Sequence, residues 1–515
     1  MFNRRLLPGL CLVLLCVSSF LLLGDQTTVK YRYDAAGRVV EAQYGATARI
    51  VYQYDPMGNL LSRSVILSGS LLYLPFYQAG PSTFLGVAVA NYSDSAANLE
   101  FRAFGENGAL LPFPQNPYNV PLAARNQLAR LGAQLFNVDS ASNQAGWIQI
   151  TSDNPQIGAF FESGNNALTQ LDGAIGTPTQ ATRLYLTRAC EGPTGFRGQG
   201  SATFVSIANP NDASIGLQLK LFGLQAPGGT QAVQLGATVN QTIAAKGVLY
   251  RNITDLFGVA VAQGYVRVDV TDGPGAVGFE LIQCTGVPTL IGLNAGLGNE
   301  NNELFSAQLA SGVTLFTSLK LINTSAAARQ ITLRAIRDDG SALAPQVQLA
   351  LGPGDFLERD AGEIFTFTDA LAVGSLHVQA DGPGVIGDVV FGEPGSLKYA
   401  SSMPLQVQKF STAVLNQVAN GMGLFTGLAL YNPGNEAANV TIEVYAPTGT
   451  MTGSTNFPLP AGGRLSQLVP QLVPETAGQV TGFIILRSTR PLIAQQLFGE
   501  NGLSMLSAVP PSVVN

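Results

Sequence analysis

The sequence predicts an all-β protein in which a short tyrosine-rich β-ribbon is followed by four tandem β-sandwich domains. Three observations lead to this prediction: many turn-forming residues, few charges and a long internal repeat. The chain of 515 residues has 58 glycines and 29 prolines, and only 12% of its residues are charged although 46% are hydrophobic. Short strands joined by tight turns have this composition, whereas coiled coils and disordered tails need more charge and fewer glycines.

A long unit recurs four times from Leu71 onward, and three anchor positions define it. The first anchor is an asparagine that ends an apolar strand, with spacings of 118, 114 and 109 residues between Asn91, Asn209, Asn323 and Asn432. A glycine that opens a later strand is the second anchor, and a proline-led turn is the third: Gly146, Gly264, Gly374 and Gly482, then Pro155, Pro274, Pro383 and Pro491. Anchors that keep their order and near-constant spacing indicate a repeat architecture.

Within each copy the hydrophobic pattern has a period of two. An alternating run begins eight residues after each asparagine, at Leu99, Leu217, Ile331 and Val440, and this pattern predicts strands with one buried face. Segments 134–136, 255–257 and 363–365 predict one short helical turn per copy. Such units fit an immunoglobulin-like (Ig-like) β-sandwich with boundaries 71–178, 183–298, 303–402 and 408–512. Short linkers between them predict a rod or a compact chain of beads, and a parallel β-helix is the alternative, although its period is shorter.

The N-terminal segment predicts export from the cytoplasm. Arg4 and Arg5 precede an apolar run from Leu6 to Gly24, which is the pattern of a secretory signal peptide. Because residues 22–24 make a poor cleavage site and the run nearly reaches the length of a spanning helix, an uncleaved membrane anchor at residues 1–24 is the alternative. Everything beyond Gly24 is therefore expected in the periplasm, on the cell surface or outside the cell.

A tandem motif occupies the segment between the apolar run and the first long repeat, residues 25–68. Its two copies, spaced by 21 residues, share Tyr-x-Tyr-Asp-x-x-Gly: Tyr31, Tyr33, Asp34 and Gly37, then Tyr52, Tyr54, Asp55 and Gly58. Each copy predicts a strand, an Asp/Gly turn and a return strand. The motif resembles the YD repeats of the RHS family of bacterial surface and secreted proteins. That resemblance implies a hollow β-shell only for long arrays, so two repeats are expected to form a small β-ribbon.

Only two cysteines lie beyond the N-terminal segment, Cys190 and Cys284. An even pair in an exported protein predicts a disulfide, which would close a loop of 94 residues and stabilise the fold by about 4–5 kcal/mol. Two buried thiols are the alternative. A metal site is not expected, because the sequence has no Cys-x-x-Cys motif and one histidine.

The only histidine, His377, alternates with the apolar residues Leu376 and Val378. This phase predicts an exposed strand residue that faces away from the core. A Ser–His–Asp triad would have to use His377, and no second histidine is present to complete a metal site. The sequence therefore offers little material for acid–base catalysis.

Acidic pairs at residues 338–339 and 358–360 are candidates for glycoside hydrolysis by two carboxylates. The first pair precedes Gly340, and the equivalent segments of two other copies also end in glycine, at Gly108 and Gly449. A shared glycine after unrelated residues predicts a hairpin turn. Calcium binding is the remaining acidic candidate, by Asp338, Asp339 or the Asp-Gly-Pro-Gly segments at Asp272 and Asp381. These segments lack the dense alternating carboxylates of a strong calcium loop, which favours turns. No catalytic residue and no cofactor is expected.

Trp147, Tyr265 and Phe483 follow the glycine anchor in three of the four copies. An aromatic residue at one repeated position is a candidate stacking platform for a sugar ring. The alternative is packing of these three side chains against a neighbouring domain or a rim loop.

Two functional hypotheses follow, because the sequence repeats one unit four times and offers no set of catalytic residues. The first is an exported, non-catalytic structural or adhesive protein of the bacterial cell surface, with an unknown surface protein or polysaccharide as its partner. The alternative is an array of carbohydrate-binding modules that recognises surface or environmental polysaccharide. The net charge of −6 and the pI near 5.0 oppose nucleic-acid binding. Contact with a membrane is expected only through an uncleaved N-terminal segment.

Overall fold

The computed structural model describes residues 29–34, 36–44, 48–55, 57–67, 69–139, 143–298 and 300–514. Strands make up 60% of the described residues and helices 5%, and the named strands in each sheet pair antiparallel with their neighbours. The predicted all-β class is confirmed, and antiparallel pairing excludes a parallel β-helix. The predicted export segment, residues 1–24, lies outside the described residues. Within the described ranges, none of the helices has the length and apolar character needed to cross a membrane.

The tandem tyrosine motif forms one four-stranded sheet, here called the YD sheet. Its strands follow one another as a meander in the order β1-β2-β3-β4. Their bounds are β1 (Val29–Tyr33), β2 (Val39–Tyr44), β3 (Ala48–Tyr54) and β4 (Leu60–Leu67). These four strands pair only with one another among the described residues.

The rest of the chain divides into four domains. Domain 1 contains β5 (Ser70–Ala79), β6 (Thr83–Asn91), β7 (Ala97–Phe104), β8 (Tyr118–Leu122), β9 (Gln127–Leu131), α1 (Gly132–Phe136), β10 (Gln144–Ser152), β11 (Ile157–Asn165) and β12 (Leu171–Ile175). Domain 2 contains β13 (Arg183–Phe196), β14 (Gln199–Ala208), β15 (Ile215–Leu224), β16 (Ala232–Ile243), β17 (Val248–Asn252), α2 (Ile253–Phe257), β18 (Val261–Asp272), β19 (Val277–Cys284) and β20 (Leu290–Asn294).

The other two domains repeat this series. Domain 3 contains β21 (Glu303–Gly312), β22 (Phe316–Asn323), β23 (Arg329–Ile336), β24 (Val347–Leu351), β25 (Phe356–Asp360), α3 (Ala361–Ile364), β26 (Leu371–Ala380), β27 (Val385–Gly392) and β28 (Ala400–Pro404). Domain 4 contains β29 (Phe410–Leu415), β30 (Leu424–Tyr431), β31 (Ala438–Tyr445), β32 (Met451–Leu459), β33 (Arg464–Leu468), α4 (Val469–Leu472), a 3-10 turn (Pro474–Thr476), β34 (Phe483–Glu500), β35 (Leu506–Val509) and β36 (Ser512–Val513).

All four domains share one strand order. In domain 1 the first sheet has the order β5-β10-β7-β8 and the second has the order β12-β11-β6-β9. In domain 4 the long strand β34 passes from one sheet to the other and takes both the sixth and the seventh places. The seventh strand therefore lies beside the second, whereas the seven-strand immunoglobulin domain pairs its third, sixth and seventh strands in one sheet.

The alternating runs are third strands, as the period of two predicts. In β15 buried and half-buried residues alternate along all ten positions, so one face packs into the core and the other meets solvent. The three predicted helical turns are confirmed as α1, α2 and α3. Each lies between the fifth and sixth strands, and a fourth turn, α4, occupies the same place in domain 4.

Each anchor asparagine is a buried hydrogen-bonding hub. In domain 3 the Asn323 side-chain amide donates to the carbonyls of Ala327, Leu351 and Gly352 at 2.8, 2.9 and 3.1 Å, and its oxygen accepts from the Ser325 N–H at 3.0 Å. The same three-carbonyl pattern recurs at Asn91, Asn209 and Asn432. The asparagine thus ties the loop after the second strand to the end of the fourth strand.

Replacing Asn323 with alanine is expected to lower the free energy of unfolding by about 3 kcal/mol, because buried carbonyls lose their donors. Urea unfolding followed by circular dichroism measures the change. The matched control is Asn456→Ala, because Asn456 is exposed and bonds only the Thr441 hydroxyl. That control is expected to stay within about 0.5 kcal/mol of the parent protein. Equal free energies of unfolding for the two variants would refute the role of Asn323 as a hydrogen-bonding hub.

The glycine anchor exists because two strands approach closely. A Cβ atom built on Gly146, Gly264, Gly374 or Gly482 would lie 2.1 to 2.4 Å from a carbonyl oxygen on the neighbouring third strand. Any side chain would therefore push the sixth strand away from its partner. The repeated glycine is a packing requirement of the sandwich.

The four domains close into a ring, so the predicted rod is wrong. Their eighth strands, β12, β20, β28 and β35, lie against one another in turn around the centre. Gln127 of domain 1 closes the ring, since its amide donates to the carbonyls of Asn416 and Gly482 in domain 4 at 2.8 and 2.7 Å. The central strands of the second sheets are covered on both faces: in domain 3, β22 and β27 are buried at every position. A rod would expose these outer faces to water.

Candidate functional site

The three aromatic side chains predicted to stack on a ligand are buried at junctions between domains, so that prediction is wrong. Trp147 is fully buried, and its indole N–H donates to the Lys246 carbonyl of domain 2 at 2.8 Å. Tyr265 donates to the Gly354 carbonyl of domain 3 at 2.8 Å, and Phe483 packs in a cluster shared with domain 1. These residues do face away from their own core, but ring closure places a neighbouring domain over them. The alternative expectation, that these three side chains pack against a neighbouring domain, is confirmed.

The predicted disulfide is also absent: Cys190 and Cys284 are buried free thiols. Strand β14 lies between the strands that carry them, and the Cys190 carbonyl accepts a hydrogen bond from Ser201 of β14 at 2.8 Å. Burial raises the pKa of Cys284 to about 12 and that of Cys190 well above its usual value. Both thiols are therefore protonated and poorly nucleophilic.

His377 faces away from the domain core, as its phase predicts, but only 16% of its side chain is exposed, so the predicted exposure is wrong. Its ring stacks on Phe305 with centroids 4.6 Å apart, and Nε2 lies 3.1 Å from the Glu303 carboxylate. Burial lowers the pKa of His377 below its ordinary value. The neighbouring strand β21 thus covers the imidazole.

The acidic candidates have structural contacts. Asp339 accepts from the Ser341 N–H and hydroxyl within a turn, at 2.9 and 2.6 Å, and Asp338 forms an ion pair with Arg464 of domain 4. Glu358 is buried beside two cations, and Asp360 pairs with Arg197. No group of three metal-ligating side chains occurs among the described residues.

Five buried charged residues, here called the ionic cluster, fill the junction between domains 2 and 3: Arg188, Glu280, Lys320, Glu358 and Asp388. The Arg188 guanidinium bonds Asp388 and, at 3.3 Å, Glu358. Lys320 lies 2.6 Å from the other oxygen of Glu358. Burial raises the pKa of Glu280 well above its usual value. The sequence analysis missed this cluster, and charged residues such as Lys320 and Asp388 inside otherwise apolar strands were the available signal.

Five residues meet at the centre of the ring, one or two from each domain, and form the axial cluster: Asp172, Gly292, Ser401, Ser402 and Ser507. The Asp172 carboxylate accepts from the Gly292 N–H at 2.9 Å, from the Ser401 hydroxyl at 2.8 Å and from the N–H of Ser402 at 3.2 Å. A longer bond of 3.3 Å comes from Ser507. Burial nevertheless raises the pKa of Asp172 to about 7. One carboxylate therefore joins all four domains.

The two tyrosine motifs form the turns that their sequence predicts. Asp34 accepts from the backbone N–H groups two and four residues later at 2.9 Å, and Asp55 accepts from the Asn59 N–H at 2.8 Å. Gly37 and Gly58 have φ angles of +76° and +92°, which favour glycine. The hydrogen bonds that Asp34 and Asp55 accept, led by those from Arg38 and Asn59, lower the pKa of both carboxylates.

One face of the YD sheet carries four tyrosines and is here called the tyrosine face: Tyr31, Tyr33, Tyr52 and Tyr54. Tyr31 and Tyr33 are 54% and 56% exposed, with ring centroids 6.4 Å apart. Tyr54 is held in place by a 3.0 Å bond to the Val39 carbonyl and by Arg38, which lies 4.8 Å above its ring. A sheet normally buries one face against a second layer, so these rings are the candidate contact surface.

Neither of the comparisons with known proteins identifies a relative: no protein-family model matches this sequence, and no curated protein matches it. The functional assignment therefore rests on the chain itself.

Proposed function

We propose that this protein is an exported, non-catalytic structural or adhesive protein, in which the closed ring is a rigid base and the tyrosine face contacts the partner. The observation that carries the proposal is the contrast between these two parts. Trp147, Tyr265 and Phe483 are buried between domains of the ring, whereas Tyr31 and Tyr33 are more than half exposed. Exposed aromatic rings are enriched in protein interfaces and also stack on sugars.

The resemblance to YD repeats and the basic, apolar N-terminal segment support placement of the protein at or beyond the cell envelope. Fractionation of cells that express the full chain tests this part. Recovery of the protein only from the cytoplasm would refute the proposal.

Replacing Tyr31 and Tyr33 together with serine is expected to reduce adhesion of the purified protein to cell-envelope material at least threefold. The urea midpoint should not change, because both rings are exposed. Leu371→Ser is the matched control, since Leu371 is an apolar residue 45% exposed on domain 3, and it should leave adhesion intact. Surface plasmon resonance on immobilised envelope fractions measures the change. Equal binding by the double variant would refute the assignment of the tyrosine face.

A polysaccharide and a protein are the two partners to distinguish. The carbohydrate-array hypothesis loses its repeated aromatic platform, because those three rings are buried. Protease treatment of the envelope material before binding separates the two partners: binding that survives indicates a polysaccharide, and binding that is lost indicates a protein. Both outcomes are compatible with an adhesive role.

A further inference from the structure

The fourth strand of each domain lies at an edge of the first sheet, and no further strand lies beside it among the described residues. These strands are β8, β16, β24 and β32, and the YD sheet adds the edges β1 and β4. An edge presents unpaired backbone N–H and C=O groups, so it is a template for pairing with another chain. Proteins usually protect such edges with charged residues, prolines or short strand length.

Five of these six edges are protected, and β16 is not. Arg32 lies on β1 and Arg63 lies on β4. Strand β8 contains Pro121 and β32 contains Pro458, and β24 is only five residues long. Strand β16 has twelve residues and contains neither a charged residue nor a proline. Domain 2 therefore has a long edge without the features that discourage pairing.

The second half of β16 is a regular strand. Its pairing with β15 is irregular near Gly236, which has a φ angle of +66°, and a bulge of this kind protects the first half of an edge. Beyond it, Val239–Ile243 pairs without a break with Ile215–Leu219 of β15. Strand β15 is the only strand that pairs with this segment among the described residues. The regular edge is therefore free over these five residues.

This segment is complementary to itself when two copies run antiparallel. A two-fold axis at Gln241 places Val239 opposite Ile243 of the second copy, on the side of the sheet that packs into the core. The same axis places Asn240 opposite Thr242 of the second copy, on the side where both are exposed. Side chains directly opposite each other are the unit of sheet stabilisation, and here apolar meets apolar and polar meets polar. No charge on the segment repels the second copy.

We infer that β16 pairs antiparallel with β16 of a second copy, which joins two rings through one continuous sheet. The backbone of the second copy supplies the hydrogen bonds that the edge lacks. One patch used by both copies forms a closed two-fold interface, the commonest form of protein assembly. This interface is separate from the tyrosine face and does not depend on the proposed function.

Sedimentation velocity of the full chain over a range of concentrations tests this pairing, and the parent protein is expected to dimerise. Asn240→Lys combined with Thr242→Lys would place lysines directly opposite each other in the dimer. Because like charges at that position destabilise a strand pair, the dissociation constant should rise at least tenfold. Both side chains are exposed, so the far-ultraviolet circular dichroism of this lysine variant should match that of the parent.

Ser454→Lys combined with Asn456→Lys is the matched control. These two residues are also exposed and two positions apart on an edge strand, β32 of domain 4, and the change should leave the dimer intact. Asn240→Glu combined with Thr242→Glu should dissociate the dimer as the lysine variant does. An equal mixture of the lysine and glutamate variants should dimerise again, because each lysine then lies opposite a glutamate.

Three results would overturn the inference. A parent protein that stays monomeric at every concentration would leave the β16 edge to a strand of another protein. A lysine variant that dimerises as tightly as the parent would place the interface elsewhere on the ring. Lysine and glutamate variants that do not associate when mixed would exclude the antiparallel register with its axis at Gln241.

Discussion

Replacing Arg188 with methionine is expected to lower the free energy of unfolding by about 3–5 kcal/mol, because it leaves the Asp388 carboxylate buried without its cation. Asp388 is the most affected: one oxygen loses the Arg188 guanidinium, and the other has no hydrogen-bond partner in the parent protein. Glu358 keeps Lys320, at 2.6 Å. Most of the lost stability should therefore come from the unpaired carboxylate of Asp388.

Urea unfolding measures this change, with the fluorescence of Trp147 as one probe because the indole is buried between domains 1 and 2. Circular dichroism is the second probe, and agreement between the two tests whether the ring unfolds in one step. Arg183→Met is the matched control, because Arg183 lies on the same strand but is 55% exposed in its pair with Asp269. It should cost at most about 1 kcal/mol.

A second variant separates the buried charge from the loss of packing. Arg188→Met combined with Asp388→Leu removes both partners, and we expect it to recover at least half of the lost stability. A single variant within about 1 kcal/mol of the parent would contradict the role of the ionic cluster. Failure of the double variant to recover would assign the loss to packing around Arg188.

The stability of the ring is expected to fall as pH rises from 5 to 7, which is opposite to ordinary acid denaturation. Burial raises the pKa of both Asp172 and Glu162 to about 7, so the folded ring holds protons that the unfolded chain has released. Their contribution is fully present below the unfolded pKa values and is lost as pH passes the folded ones. For Glu162 alone the fall between pH 5 and 7 is about 2 kcal/mol, and Glu280, whose pKa burial also raises, acts in the same direction.

Two variants test the assignment of this pH dependence. Glu162→Gln should flatten the fall, measured as urea midpoints between pH 5 and 7. His377→Gln should steepen it, because burial lowers the pKa of His377 and the imidazole therefore contributes stability that increases with pH. Parent stability that stays constant or rises across this window, or a Glu162→Gln slope equal to that of the parent, would contradict the raised pKa values.

Both of these expectations concern residues that the sequence analysis did not single out. Arg188, Asp172 and Glu162 lie on three different strands, and the partners of Arg188 and Asp172 are 100 or more residues away in other domains. Hydrophobic periodicity reports which face of a strand is covered, but it does not report which distant strand covers it. Charged residues within apolar strands were the only local sign of these contacts.

The sequence by itself determined the all-β class, the four-fold repeat, the half-buried third strands and the turns of the tyrosine motif. Each of these depends on neighbours within a few residues: Asp34 bonds the next turn of its own chain, and the alternation of β15 is visible in its letters. Local propensity and periodicity are therefore sufficient to predict them.

The tertiary structure alone decided the closed ring, the burial of Trp147, Tyr265 and Phe483, and the unbonded state of Cys190 and Cys284. The physical reason is the same in each case. A residue that faces away from its own domain becomes buried only when another domain covers it, and two cysteines can bond only if the fold brings their Cα atoms within about 7 Å with their side chains directed at each other. Ring closure and strand order arise from contacts between residues far apart in the chain, so they were not visible in any single repeat.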